Sequence, residues 1–267
     1  MDFAKLFSLE GKVALITGGS RGIGKMLLEG FLAAGCERVY VTARKAQALE
    51  ATVSEFGDRV VGIPGDISRM EGIDELVAEI ARRESRLDVL VNNAGAAWGA
   101  EFETFPVIGW DKVMDLNVKT PFFLTQKLHG LLKAAASEDR PAKVINIASI
   151  DGMRINPWDT YSYQASKAGL IHLTKRMAAR LIEDRIVVSC IAPGAYASEM
   201  NKAARDQGEK VGKGIPAGRI GCAEDIAGGA IYLASRAGDY VVGTTLPIDG
   251  GIVNAALPED FHDPLGN

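Results

Sequence analysis

The sequence is poor in the residues that build metal and disulfide chemistry: three cysteines and three histidines in 267 residues. Cys36, Cys190 and Cys222 are odd in number and far apart, which argues against a disulfide framework or a cysteine-based zinc site. Cys36 ends a helical stretch and Cys190 lies in an apolar run, so both read as small core residues. His129, His172 and His262 are scattered, and no metal is expected. No block of five or more Lys or Arg occurs, and the net charge is −4; nucleic acid and anionic membranes are therefore not expected partners. The start, Met1-Asp2-Phe3-Ala4-Lys5, lacks the charged and apolar regions of a secretory signal, and no apolar run is long enough to span a bilayer. The expected location is cytoplasmic.

What is present is 47% hydrophobic residues and 30 glycines, the composition of a large core with many tight turns. The length lies within the range that α/β folds cover as one domain, and residues 1–267 contain no linker or low-complexity tract. Short apolar runs alternate with helical patterns. Strands are expected at 13–16, 38–42, 59–63, 87–91, 142–148, 186–191 and 245–248. Helices are expected to 34 after the first strand, then over about 47–56, 70–83, 110–135, 163–181 and 223–234. Val89-Leu90-Val91 and Ile186-Val187-Val188 are continuous apolar runs, the pattern of parallel strands buried on both faces. The expected fold is α/β, a Rossmann-type doubly wound parallel sheet of about seven strands with helices on both faces. Residues 196–214 are polar and charged, and about 256–267 read as a C-terminal extension.

The first strand runs into Thr17-Gly18-Gly19-Ser20-Arg21-Gly22-Ile23-Gly24, and a helix follows at once. Glycines permit a tight turn and close approach of backbone to phosphate, while a helix N-terminus offers free N–H groups and partial positive charge. This is the place where a dinucleotide fingerprint belongs, although the glycine spacing differs from G-x-G-x-x-G. The second strand ends Thr42-Ala43-Arg44-Lys45 without the carboxylate that holds the ribose hydroxyls of NAD. Arg44, with Arg21 as a second candidate, suits a 2′-phosphate instead, or these cations simply flank a solvated turn. The charge pattern favours NADP(H) over NAD(H).

Tyr163 and Lys167 lie four apart in Tyr163-Gln164-Ala165-Ser166-Lys167, on one face if the segment is helical. An ammonium beside a phenol favours the phenolate and lowers a pKa that starts at about 10. Taken alone, such spacing occurs on many helices.

With these two motifs together, the chain resembles the classical short-chain dehydrogenase/reductase family. Asn92-Asn93-Ala94-Gly95, Asn117, Ser149, Pro193-Gly194 and Asp249-Gly250-Gly251 follow in the family's order, and the resemblance covers about residues 9–252. It implies a catalytic tetrad of Asn117, Ser149, Tyr163 and Lys167. Tyr163 would be the general acid/base, Ser149 would hold the carbonyl oxygen, Lys167 would lower the Tyr163 pKa and hold ribose hydroxyls, and Asn117 would fix a relay water. It also implies cofactor contacts at Gly18, Ser20, Ile23 and Gly24, at Asp66 and Ile67 around the adenine, at Asn93, Ala94 and Gly95, and at Pro193, Gly194 and Ser198. Ser189 stands where many members have asparagine, and a local packing change is expected there. Residues 196–214 take the place of the family's substrate lid, and a homotetramer or homodimer is implied.

For the substrate, Trp98, Met153, Ile155, Trp158 and Tyr196 are the candidate pocket residues, an apolar-leaning set. The segments around 92–100 and 105–114 are similar to NADPH-dependent β-ketoacyl reductases associated with bacterial rhamnolipid synthesis. That resemblance implies a small-molecule carbonyl or alcohol, such as a 3-oxoacyl thioester or another hydrophobic ketone. A hydroxysteroid, an aromatic alcohol or a polyol remains open. An idle NADP-binding regulator on the same fold is the reading from a different class.

Overall fold

A computed structural model describes residues 1–256, so the C-terminal extension beyond Ala256 lies outside the described residues. A short helix α1 (Phe3–Leu6) precedes β1 (Val13–Thr17), α2 (Gly22–Ala33), β2 (Arg38–Ala43), α3 (Ala46–Phe56), β3 (Val60–Pro64), α4 (Met70–Arg83) and β4 (Val89–Asn92). Then follow α5 (Val107–Met114), α6 (Thr120–Ala135), β5 (Ala142–Ile147), α7 (Tyr161–Leu181), β6 (Ile186–Pro193), α8 (Lys202–Asp206), α9 (Gly208–Gly212), α10 (Ala223–Ala234) and β7 (Thr245–Ile248). The strands form one seven-stranded sheet in the order β3-β2-β1-β4-β5-β6-β7, parallel at every pairing.

Continuous apolar runs become strands buried on both faces. Every residue of β1, β4, β5 and β6 is buried. Because successive side chains point to opposite faces, β1 divides its residues between two cores. Ala14 and Ile16 pack with Leu27, Leu28 and Phe31 of α2 and with Ile226 and Leu233 of α10. Val13 and Leu15 pack with Ile73 and Leu76 of α4 and with Leu124 and Leu128 of α6. At roughly 1.5–3 kcal/mol per fully buried aliphatic or aromatic side chain, these two layers are the main force holding the sheet.

The order of the strands reverses between β1 and β4, and an open α/β sheet has its crevice at the carboxyl ends of the strands at such a switch point. The glycine turn after β1, Asn93 after β4, Ser149 after β5 and Gly194 after β6 all lie at that edge. Ser189, on β6, donates to the Val241 carbonyl at 2.6 Å, tying β6 to the segment before β7.

One element departs from its expected shape. The helix expected over 110–135 begins at Val107 and is interrupted by a single π turn, Asp115–Lys119. Pro121 supplies the reason: it has no N–H and its ring excludes the carbonyl of Asn117 four residues back. Thr120 stitches the turn, donating to the carbonyls of Ile67 at 2.7 Å and Asp115 at 3.0 Å. The π turn carries Asn117.

Candidate active site

The glycine turn between β1 and α2 is built from backbone. Gly18 and Gly22 have φ of 68° and 51°, the left-handed region that disfavours a side chain. Gly24 cannot take one for a different reason: a Cβ there would lie 2.2 Å from the Gly18 carbonyl oxygen. Arg21 caps α2 in an extended conformation, and the first turn of that helix contains no acidic residue, so its positive end faces the crevice uncompensated. Thr17 holds the turn against β4. Its hydroxyl accepts the N–H groups of Asn93 and Ala94, both at 2.9 Å, while Asn93 Nδ2 donates back to the Thr17 carbonyl at 2.8 Å.

Arg44 and Arg21 are exposed beside this turn. Lys45 caps α3 without a side-chain hydrogen bond. Asp66 accepts the N–H and hydroxyl of Ser68 at 3.1 and 2.8 Å; burial opposes its ionised form, but these hydrogen bonds, and after them the Arg44 charge, hold its carboxyl below the usual range. Ile67 is buried next to it. Gly194, after β6, takes its N–H to the Ile248 carbonyl at 3.0 Å and packs on Asp249. Ser198 lies against Gly22 and accepts the Asn201 N–H at 3.1 Å, just before the short helices α8 and α9. The cradle, its cations and the helix end fit a dinucleotide carrying a phosphorylated ribose.

Asn117, Ser149, Tyr163 and Lys167 come together from three elements: the π turn, the end of β5 and α7. Asn117 is locked: Oδ1 accepts the Ala96 N–H at 2.8 Å, and Nδ2 donates to the Ala96 carbonyl and to Ser166 Oγ, both at 2.9 Å. Ser166 in turn donates to the Tyr163 carbonyl at 2.7 Å, so the π turn is fastened to α7 directly under the tyrosine. Gly95 separates Asn117 from Lys167; a Cβ there would stand 3.3 Å from Asn117 Oδ1 and 3.6 Å from Lys167 Nζ. Ser149, at the end of β5, accepts the Asp151 N–H at 3.1 Å as the cap of a short turn over 150–152. Gly152 in that turn presses on the Lys167 backbone, where a Cβ would come within 2.5 Å.

The electrostatics differ from the expectation that Lys167 lowers the Tyr163 pKa. Burial pushes the Tyr163 phenol up to about 12, with Ser149 pulling the other way and the charge of Asp151 adding to the rise. Lys167 is itself lowered by burial to about 8, and its ammonium donates to the Ile147 carbonyl at 2.8 Å, with Nζ 5.6 Å from the centre of the tyrosine ring. Desolvation is therefore the largest influence on both groups in this structure. Tyr163 is held as an acid at neutral pH, and Lys167 still carries its charge there.

The pocket residues divide. Ile155 and Trp158 line a groove with Trp110 and Tyr161. Trp98 is not part of it, packing on Gly109 with Lys112 Nζ 5.3 Å from its ring. Met153 is half exposed in the neighbouring loop. Tyr196 is a correction: only 2% exposed, it belongs to the core, its ring against Gly221 and its hydroxyl donating to the Ile248 carbonyl at 3.3 Å. The segment 196–214 thus begins from an anchored residue. Two thiols are likewise core groups, with burial pushing Cys36 up to about 12 and Cys190 to about 11. Among the described residues no group of three or more His, Cys, Asp or Glu is placed to hold a metal, and no helix is long and apolar enough to cross a membrane.

Comparison with known proteins decides the family. A profile of the short chain dehydrogenases matches residues 12–209. The chain belongs to the short-chain dehydrogenase family. This oxidoreductase is 44% identical to the rhamnolipids biosynthesis 3-oxoacyl-[acyl-carrier-protein] reductase of Pseudomonas aeruginosa, over 92% of this chain and 97% of that protein. The Pseudomonas aeruginosa RhlG/NADP active-site complex superposes with a TM-score of 0.89 at 43% identity, covering 93% of this chain and 99% of the other. A gluconate 5-dehydrogenase from Burkholderia cenocepacia, solved with NADP and tartrate, matches with a TM-score of 0.87 at 31% identity over 96% and 100% of the two chains.

Sequence reading missed several residues that organise this dehydrogenase's site. Thr17 and Ser166 have no signal beyond standing next to motifs, because their hydroxyls act across the fold. Thr120 sits before Pro121, and that pair is a legible break in a helical pattern. Trp110 and Tyr161 lie far apart in sequence and meet only through α5 and α7.

Proposed function

We propose that the enzyme interconverts a ketone and a secondary alcohol with NADP(H), and that its substrate is a hydrophobic carbonyl of the 3-oxoacyl thioester kind. The observation that carries this reading is the convergence of Asn117, Ser149, Tyr163 and Lys167 beside the glycine turn. When bound, NADPH supplies the hydride. Gly18, Ser20, Ile23 and Gly24 would hold its pyrophosphate, Arg44 and Arg21 its 2′-phosphate, and Asn93, Ala94, Gly95, Pro193 and Gly194 would line the way to its nicotinamide, with Ser198 near the carboxamide.

The chain's own part is proton handling and orientation. Ser149 holds the substrate oxygen by a hydrogen bond and stabilises negative charge as it develops there. Tyr163 gives its proton to that oxygen in reduction and accepts one in oxidation. The high phenol pKa keeps that proton in place at neutral pH, ready for donation in reduction. Lys167 keeps a positive charge next to the phenol, and Asn117, bonded to Ala96 and Ser166, keeps Tyr163 and Lys167 in register. The identity to the P. aeruginosa reductase supports the acyl substrate over the sugar acid of the more distant neighbour.

The test is NADPH oxidation with a panel of ketones, 3-oxoacyl thioesters, steroids and sugar acids, run on the wild type and on Tyr163→Phe. Turnover by the variant at the wild-type rate refutes the mechanism, and turnover of sugar acids alone refutes the substrate class. The same proposal includes a homotetramer or homodimer. Its support is an apolar groove of about 430 Å³ between α6 and α7, lined by Phe122, Leu173, Met177 and Leu181. A single-chain mass in light scattering would refute it.

A further inference from the structure

Residues 153–160 connect the turn after Ser149 to the first turn of α7, so one segment runs between the two residues that meet the substrate oxygen. With Trp110 of α5 and with Tyr161 and Gln164 of α7, this segment encloses a groove of about 340 Å³. Asn156, 4% exposed, fixes the segment in place. Its Oδ1 accepts the Trp158 N–H at 2.9 Å and Gln164 Nε2 at 3.1 Å, and its own N–H donates to Gln164 Oε1 at 3.3 Å. The groove wall is thereby tied to the residue adjacent to Tyr163.

The lip of the groove is open and apolar: Ile155 is 88% exposed, Trp158 65% and Trp110 42%. Behind it Phe105 meets Trp110 and Tyr161 edge-on, with ring centres 6.4 and 5.8 Å apart, so the aromatic surface is braced. A contiguous exposed apolar surface of this kind marks a place where something binds. The charges nearby decide what. No Lys or Arg lines the groove; its carboxylate is Asp159, which accepts the Tyr161 hydroxyl at 2.6 Å. Asp151 lies outside the groove beside Asn156, with the exposed Arg154 near it. A carboxylate or phosphate on the substrate would find no cation lining this wall, whereas a hydrocarbon chain would find aromatic faces.

We propose that this groove is a subsite for an unbranched aliphatic chain attached to the reacting carbonyl, and that it sets a preference for long-chain substrates. The proposal rests on the carbonyl-reductase reading above and names the part of the substrate that lies beyond the reacting oxygen. Trp158, Ile155 and Trp110 cover the chain, Tyr161 lies beneath it, and chain length is read by the apolar area covered.

The experiment measures kcat/KM for 3-oxoacyl thioesters and for methyl ketones of increasing chain length, with wild type, Trp158→Ala and Trp110→Ala. The readout is the slope against chain length, not the absolute rate. In the wild type kcat/KM should climb by up to about fourfold per added methylene until the groove is full. Both variants should flatten that slope. No chain-length dependence in the wild type, or an unchanged slope in both variants, overturns the proposal. A calorimetric titration of Tyr163→Phe with a long-chain methyl ketone reads the groove without turnover. Saturable binding that Trp158→Ala in that background weakens at least tenfold supports the subsite even if the wild type reduces none of these carbonyls, an outcome that would sink the function reading alone. If light scattering shows that Trp158→Ala breaks an oligomer while the slope is unchanged, the groove is a contact between copies and the proposal fails.

Discussion

The two sides of the crevice are built on opposite principles. At the cofactor side, the turn after β1 works through what is missing: no side chain at Gly18, Gly22 or Gly24, and no acidic group in the first turn of α2. At the catalytic side, β5, the π turn and α7 work through side chains that are present, buried and hydrogen-bonded, with Asn117 1% and Lys167 4% exposed. A backbone cradle tolerates no added atoms. A side-chain constellation tolerates small deletions structurally but loses its chemistry. Substitutions should therefore fail in different ways on the two sides.

The largest effect is expected on the catalytic side. Tyr163→Phe removes one hydroxyl, and a positioned general acid contributes about 10²–10⁴-fold. Turnover should fall by that order while NADPH affinity, followed by fluorescence, stays within a few-fold of the wild type. A parallel loss of affinity would erase the distinction between the two sides. The converse is Gly24→Val on the cofactor side. The added atoms collide with the Gly18 carbonyl and with Asn93, and overpacking of this kind costs about 1–3 kcal/mol. NADPH binding should weaken by about ten- to a hundredfold, together with a lowered Tm; wild-type binding by a folded Gly24→Val would show that the cradle is not needed.

Arg44→Ala sharpens the comparison, because here a side chain serves the cofactor side. A hydrogen bond to a charged group is worth about 1.5–3 kcal/mol, so NADPH should bind about ten- to a hundredfold more weakly. NADH, without the 2′-phosphate, should change little, and equal losses for both would remove Arg44 from that role.

The smallest effect near neutral pH is the pH dependence, which grows only above about pH 8. Lys167, lowered to about 8, gives up its proton as pH rises through that value, whereas Tyr163, raised to about 12, keeps its own. The kcat/KM for reduction should be level below pH 8 and fall by about tenfold per unit above it. Unfolding does not account for such a fall through Lys167 itself. Between pH 8 and 10.5 the unfolded chain holds the Lys167 proton and the folded chain does not, so this group's contribution to stability rises with pH. A reduction rate that is flat to pH 10 would show that the lysine charge is not required.

How much was legible follows the same division. The glycine turn, the strand that leads into it and the helix after it are neighbours in sequence, and local rules sufficed for them. The apolar runs of β4, β5 and β6 also announced burial on both faces. The Tyr163–Lys167 spacing did place both residues on α7, but their pKa values came out differently from the sequence expectation, because desolvation depends on what other elements cover them. Tyr196 looked like a pocket residue from its place after Pro193-Gly194, yet Gly221 leaves room for its ring in the core.

The sequence by itself determined the alternation of strands and helices and the glycine turn, and it named the candidate reactive side chains, since each rests on contacts within a few residues or on side-chain chemistry. Only the tertiary structure decided the π turn under Asn117, the burial that raises the Tyr163 pKa, and the meeting of Trp110 with Trp158 and Tyr161. Those depend on how α5, α7 and the strands between them pack, and on the exclusion of water from the space they enclose.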